Sequence, residues 1–557
     1  MIPVRLVTAA ALGALALSGC APAGDDDSAW GDLRLVGRQE PTPYAVPLRD
    51  PLSAVTDPVA PRPVLRPKRE TAPPAADPRG LPTASEYTRA ARRVGAMSLP
   101  ELAGQVIVAS YDGTRAPVRL VRRLHLGGVI VFSDNVDSAR QITRSNRTLA
   151  REVGRPLVVG VDQEGGTVAR VLGEATRFPA FMSAGAADDA DLTRAAARGS
   201  GAELLGMGFD LVFAPDADVT IGPSDPVIGS RSAGSRPGLV TRHVVAATQG
   251  YQDAGVVPVL KHFPGHGSLT TDSHLALPVQ RRTRAQLDRV DLRPFREAVA
   301  DGAPAVMTGH IDVRAVDPGR PASVSRKVTS GLLRRDLGFR GVVVTDSLAM
   351  DGVEKQLPGG RGAVAALRAG ADVLLMPPDP TAARTAVVRA VRGGAVPRAR
   401  LESAATRMLA MLLHQRAADA PPAAPGSQQR AATRLSRAAV TVVDGRCSGR
   451  LVTEGIRVVG PRAQAARMEA AARRAGLRVG SGSKVVLVPR GGAAARGRVV
   501  VALDTPYVLR RSIARSKIAT YGDNAAVMRA LVDVLLGNAP APGHLPVTVR
   551  GVARTGC

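Results

Sequence analysis

The sequence predicts an α/β protein, a (β/α)8 TIM-like barrel followed by a smaller α/β sandwich domain. Three observations lead there. Eight short apolar runs alternate with amphipathic segments between about residues 84 and 415. Most of the runs are continuous and β-branched, as strands buried on both faces are. A second, shorter set of such runs follows a stretch rich in Ala, Pro, Ser and Gln. The 557-residue length is too great for one ordinary domain, and a 45% hydrophobic content is ample for two cores. Aromatic residues make up only 3%, so those cores are built from Ala, Val and Leu.

In chain order, Met1 to Cys20 reads as a targeting segment. Arg5 supplies a positive start, Leu6 to Leu17 a short apolar run, and Leu17-Ser18-Gly19-Cys20 a small-residue cleavage site. The tetrad resembles a bacterial lipobox, which implies cleavage before Cys20, lipidation of its thiol and anchoring on the outer face of a membrane. Residues 21–83 are first acidic (Asp25 to Asp27), then rich in Pro, and read as a disordered tether.

The barrel is expected over residues 84–415. Its strands are Val106 to Ala109, Val129 to Phe132, Leu157 to Val161, Leu211 to Ala214, Val256 to Leu260, Ala305 to Met307, Val342 to Thr345 and Val373 to Met376. Helices are expected between them, among others over Asp191 to Met207, Arg242 to Ala254 and Asp288 to Ala300. A doubly wound open sheet is the alternative, but the glycine-rich phosphate loop of its dinucleotide-binding form is missing. Residues 416–433 read as a linker and 434–557 as the second domain, with strands at Val440 to Val443, Ile456 to Val459, Val485 to Val488 and Val499 to Leu503 and a helix over Asn524 to Leu536. In an oxidising compartment Cys447 and Cys557 can pair and tie down the C-terminus, Cα separation being decisive.

A barrel collects its chemistry where all eight strands end. The ends carry Tyr111-Asp112, Ser133-Asp134-Asn135, Asp162-Gln163-Glu164-Gly165-Gly166, Pro215-Asp216-Ala217-Asp218, Lys261-His262, Thr308-Gly309-His310, Asp346-Ser347 and Pro377-Pro378. One Asp at a strand end is often a helix cap; six polar ends on one face are harder to explain so. The densest stretch runs from Lys261-His262-Phe263-Pro264-Gly265-His266-Gly267 to Asp272-Ser273-His274, with three of the chain's eight histidines.

Asp346, at the mouth of a barrel, is a competent nucleophile or base. His274 stands two residues after Asp272. In an extended loop both point the same way, so the carboxylate fixes the imidazole's tautomer and raises its proton affinity. A nucleophilic carboxylate with a separate acid/base is the minimum for retaining acetal cleavage. His262 and His266 have the spacing of a helical zinc site, but Pro264 and Gly265 break that helix. Neither a metal nor an organic cofactor is expected.

The formal charge of +26 comes from Arg, since Lys occurs only at 68, 261, 327, 355, 484 and 517. No basic run is interleaved with aromatics, and neither a helix-turn-helix nor a zinc signature is present, so nucleic acid is not expected as a partner. The chain is expected to act as a monomer.

Several motifs in order resemble glycoside hydrolase family 3 and its NagZ-type β-N-acetylhexosaminidase branch over residues 97–415. They are Leu102-Ala103-Gly104-Gln105, Asp162 to Gly166 with Val168 and Arg170, Phe213-Ala214-Pro215 with Asp218-Val219, Ile228 to Ser232, the Lys261–His274 stretch, and Val344-Thr345-Asp346. Thr520-Tyr521-Gly522 and Gly543 to Val547 resemble the family's second domain. The resemblance implies Asp346 as nucleophile, His274 as general acid/base with Asp272 as its partner, and Asp162, Arg231, Lys261 and His262 on sugar hydroxyls. It leaves His310 between lining the same pocket and packing in the core. Glu164 and Asp218 are read as structural or as orienters of the others. Ser268 and Ala233 depart from the family pattern. The implied substrate is a β-N-acetylglucosaminide of peptidoglycan or muropeptide type; a phosphorylase of the same family, a β-glucosidase or β-xylosidase (against which Asp272-Ser273-His274 argues) and a non-catalytic wall-binding lipoprotein are the rivals.

Overall fold

The structure, a computed structural model, describes residues 80–557. The targeting segment, Cys20 and nearly all of the expected tether lie outside the described residues. The first helix, Ala84–Gly95, opens on a capping box in which the Thr83 hydroxyl accepts from Glu86 N–H while Glu86 Oε2 accepts from Thr83 N–H.

The eight barrel strands are Ile107–Ala109 (β1), Gly128–Val131 (β2), Val158–Val161 (β3), Leu211–Val212 (β4), Val257–Phe263 (β5), Ala305–Thr308 (β6), Val342–Thr345 (β7) and Leu374–Leu375 (β8). They form one parallel sheet in the order β7-β6-β5-β4-β3-β2-β1-β8. A parallel bridge from Val344 to Val373 closes it. Alternate residues divide between two cores, as a period of two requires. Val108, Ile130, Val259, Met307 and Val344 fill the interior, while Ile107, Val129, Leu260, Val306 and Val343 pack outward against the helices. Met408, Met411 and Leu412 of the helix Arg398–Ala417 join the interior cluster.

Three expectations are corrected. β5 does not stop at Leu260 but runs through Lys261 and His262 to Phe263. Phe263 is fully buried and meets the Phe295 ring edge-on, centroids 5.3 Å apart. Burial of a Phe is favourable by roughly 2–3 kcal/mol, and it draws the polar pair into the barrel with it. The helix expected over Asp288 to Ala300 is two pieces, Arg284–Arg289 and Leu292–Ala300. Asp291 breaks it, because its buried carboxylate takes Arg282 and Ser268, each at 2.6 Å. The expected linker is in part a helix, Gln429–Ala439, whose Ala432, Leu435, Ser436 and Ala439 are buried at helical spacing.

The second domain is a six-stranded sheet built from Thr441–Asp444 (β9), Gly455–Val459 (β10), Arg478–Val479 (β11), Ser483–Val488 (β12), Val499–Ala502 (β13) and Ser516–Ala519 (β14), in the order β9-β14-β13-β12-β10-β11. Only β9 is antiparallel. Val485 and Leu487 face the helices Arg462–Arg474 and Ala525–Leu536. Val486 and Val488 face the other way, toward Met182 and Ala186 of the barrel domain. This second, apolar contact fixes the domain on the barrel. Cys447 and Cys557 form a disulfide with Cα atoms 5.4 Å apart.

Candidate active site

The end of β3 continues as a two-stranded ribbon, Gln163–Gly165 against Val168–Ala169. The Gln163 carboxamide locks it, its oxygen accepting from Arg170 N–H (2.8 Å) and Val171 N–H (3.1 Å). The ribbon turns Glu164 into the barrel mouth, where its side chain is 4% exposed. There the Lys261 ammonium lies 2.6 Å from both Asp162 Oδ1 and Glu164 Oε1. Arg231 grips Glu164 with two bonds of 2.9 Å and stands 3.1 Å from Asp216.

Burial alone would favour a protonated Glu164, but the adjacent Arg231 and Lys261 hold its carboxyl well below the usual range. Burial likewise works against the charge on Lys261, and Asp162 and Glu164 outweigh it and raise its proton affinity. Removing one partner from such a buried pair typically costs about 3–5 kcal/mol. The network is therefore a rigid floor as well as a set of donors and acceptors.

His262 donates from Nδ1 to Asp218 at 2.8 Å, and its Nε2 accepts from Arg231 at 3.4 Å. Burial pulls its pKa down to about 4, so the ring is neutral at pH 7. Burial pushes the Asp216 carboxyl well above the usual range, and the neighbouring Asp218 adds to the effect. The Arg231 guanidinium, 3.1 Å away, opposes that rise. Asp216, Asp218 and His262 are, among the described residues, the group whose geometry resembles a metal site. Within it His262 Nδ1 is bonded to Asp218 and Asp216 faces the Arg231 guanidinium.

Asp346 follows β7. Its Oδ1 accepts from Ser347 N–H at 2.8 Å. Burial would raise its pKa, but His262, His310, His274 and the Ser347 N–H outweigh burial and hold it below the ordinary carboxylate value. Asp346 is an anion at neutral pH. His310 is fully buried and has neither nitrogen free. Its Nε2 donates to Ser347 C=O at 2.8 Å, and its Nδ1 accepts from Ser323 Oγ at 2.7 Å. His310 thus holds the peptide next to Asp346.

Asp272 and His274 lie in a turn, not an extended loop, with Leu275 and Ala276 N–H both donating to Asp272 C=O at 3.1 Å. Asp272 Oδ1 accepts from His274 N–H at 2.9 Å and from its Nδ1 at 2.7 Å. The pairing expected from an extended chain is reached instead by a carboxylate curled over its own turn. Nε2 is left to meet a ligand, on a side chain 62% exposed. Ser273 between them is buried and bonds His266 Nε2 at 2.9 Å. The turn also rests on the Asp346 segment: a Cβ on Gly352 would meet Ser273 C=O at 3.0 Å and His310 Cβ at 3.1 Å. The Asp272–His274 turn and the Asp346 loop are thus parts of one packed rim.

The site brings together Asp162, Arg231, Lys261, His262, Asp272, His274 and Asp346. Sequence reasoning under-read Glu164, which joins two cations, and left Asp216 and the His266–Ser273 bond without roles. Glu164 and Arg231 are 67 residues apart, and no spacing rule reveals such a pair; the polar ends of β3 and β4 were the only signal.

The Asp272 bond is the first cause of a raised His274 pKa, with burial opposing it. A general acid must be protonated, so in the role the resemblance implies for it His274 would set the alkaline limb of kcat/KM. Asp272→Asn is expected to move that limb downward, toward the ordinary imidazole value of about 6.5 or below. A pH profile of kcat/KM checks it; an unmoved limb counts against the pairing.

Residues 98–411 match the family model described as Glycosyl hydrolase family 3 N terminal domain. The chain is 40% identical over 285 residues to a beta-hexosaminidase of Alkalilimnicola ehrlichii, covering 50% of this chain and 81% of that one. It is 37% identical over 280 residues to beta-hexosaminidase A of Pseudoalteromonas piscicida, and there the match spans 46% of this chain and only 47% of the relative. Among solved structures, a glycoside hydrolase family 3 beta-N-acetylglucosaminidase from Paenibacillus sp. str. FPU-7 superposes with a TM-score of 0.75 at 30% identity, over 82% of this chain and all of that one. With more than half its length matched and the barrel mouth furnished as described, the chain belongs to glycosyl hydrolase family 3.

Proposed function

We propose that the protein is a retaining exo-β-N-acetylglucosaminidase that removes terminal β-linked N-acetylglucosamine from peptidoglycan- or muropeptide-type glycans. The observation that carries this reading is the shared rim: a buried carboxylate, Asp346, and an Asp-backed imidazole, His274, above a floor of paired ions. The beta-hexosaminidase relatives support it. Lys261, Arg231, Asp162 and His262 hold hydroxyls of the sugar and fix its orientation. Asp346 attacks the anomeric carbon as His274 Nε2 gives its proton to the departing oxygen. His274 then takes a proton from water as that water displaces Asp346.

The same proposal places the enzyme outside the cell, tethered by a lipid on Cys20. The disulfide supports an oxidising compartment. Cys20→Ser is expected to shift the protein from the detergent phase to the aqueous phase on phase partition; retention in the detergent phase would sink the anchor. The activity is tested by comparing an aryl N-acetyl-β-glucosaminide with the matching aryl β-glucoside. Turnover confined to the first is expected, and preference for the second would overturn the reading.

A further inference from the structure

Arg231 is carried by the loop that leaves the barrel after β4 and ends at the helix Pro237–Asp253. It closes a single 3-10 turn, Gly229–Arg231. Such a turn has about three residues per revolution, so neighbouring side chains leave it roughly 120° apart. Arg231 reaches Glu164 and Asp216 in the barrel mouth. Ser230 is turned to the second domain instead, where its hydroxyl donates to Asp504 Oδ1 on the loop after β13. The direction in which Ser230 is held therefore sets the direction in which Arg231 leaves.

The second domain grips the same loop on both sides of this bond. Arg490 donates to the carbonyls of Pro226 and Val227, at 3.1 and 3.3 Å. Ser235 N–H donates to Pro546 C=O at 3.1 Å. Gly229 has a φ of 50°, and a Cβ there would stand 3.5 Å from Thr505 Cγ2, so the turn begins against the residue after Asp504. The loop's own fastening is Asp225, which accepts from the N–H groups of Val227, Ile228 and Gly229. It fixes where the turn starts and leaves the rotation at Ser230 to Asp504.

Asp504 is 7% exposed and Ser230 is fully buried. Among the described residues Asp504 has no cation partner, and the Ser230 hydroxyl is its donor. A carboxylate held so deep by a neutral hydroxyl costs folding stability, so its place calls for a reason other than stability.

We propose that Asp504 is a positioning residue for the glycosidase reaction: through Ser230 it fixes the turn that aims Arg231. The second domain thereby sets the geometry of the sugar floor, although Asp162, Glu164, Arg231 and Lys261 all belong to the barrel. The inference rests on the glycosidase reading above, in which Arg231 holds a sugar hydroxyl, and adds to it the element that keeps Arg231 in place.

The test uses the full chain, an aryl N-acetyl-β-glucosaminide and three variants: Asp504→Ala, Asp504→Asn and Arg231→Lys. Asp504→Ala is expected to lower kcat/KM about tenfold to a hundredfold, the scale of a small misplacement at a sugar-holding group. Asp504→Asn keeps an oxygen that accepts from Ser230 and is expected to restore most of that loss. In the Arg231→Lys background, where the two-pronged grip on Glu164 is already gone, Asp504→Ala is expected to cost little more, because the two residues act in series. Wild-type kcat/KM in Asp504→Ala would overturn the proposal. So would an Asp504→Asn variant as impaired as Asp504→Ala, or an undiminished loss in the Arg231→Lys background. The glycosidase reading fails separately: a wild type that prefers the aryl β-glucoside sinks that reading, and the same comparison of variants on the glucoside then supports or overturns the role of Asp504.

Discussion

Asp346→Ala is expected to lower kcat/KM on an aryl N-acetylglucosaminide by roughly 10^4-fold or more, a loss of about 5 kcal/mol of transition-state stabilisation. The change removes the only group proposed to form the bond to the anomeric carbon. Its surroundings predict a specific rather than a structural defect. The Asp346 N–H donates to Thr308 C=O at 2.9 Å, and His310 holds the next carbonyl, so the backbone stays in place without the side chain. Azide supplied to the variant should enter the vacated space and restore turnover with the opposite anomeric configuration. Loss of activity with no rescue and a lowered melting temperature would point to a folding role instead.

His274→Ala carries the second-largest effect, on the order of 10^2- to 10^4-fold, the range of a general acid/base. The size should depend on the leaving group. With an acidic phenol little protonation is needed, so formation of the glycosyl-enzyme survives while its hydrolysis, which needs the base, is slowed. KM should then fall along with kcat as the intermediate accumulates. Uniform loss across phenols of different acidity would contradict the assignment. Because the His274 side chain is largely exposed, truncation has little packing to disturb.

The barrel was legible because buried parallel strands announce themselves as β-branched runs, and Val342 to Thr345 placed Asp346 correctly. β14 was not legible. Ser516-Lys517-Ile518-Ala519 has one β-branched apolar residue, and its Lys517 is tolerated in the sheet because Asp444 stands 3.3 Å away on β9. The polar character of Lys261 and His262 argued for a loop; only their distant partners, Asp162, Glu164 and Asp218, make a strand acceptable there. The same long-range pairing hid the weight of Glu164. His310 shows the opposite limit: its place after β6 was readable, but whether its nitrogens face a ligand or Ser323 and Ser347 depends on packing that no local pattern encodes. Asp272 and His274 were paired for a sound reason in the wrong geometry, since a curled Asp side chain and an extended chain bring the same two groups together.

The central claim is that Asp346 becomes covalently bound to the sugar. A fluorinated N-acetylglucosaminide that slows the second displacement, followed by proteolysis and mass spectrometry, tests it most directly. The account predicts one added glycosyl unit on the peptide containing Asp346, in step with loss of activity. A label on any other carboxylate, or steady turnover to a product of inverted configuration with no label, would contradict it.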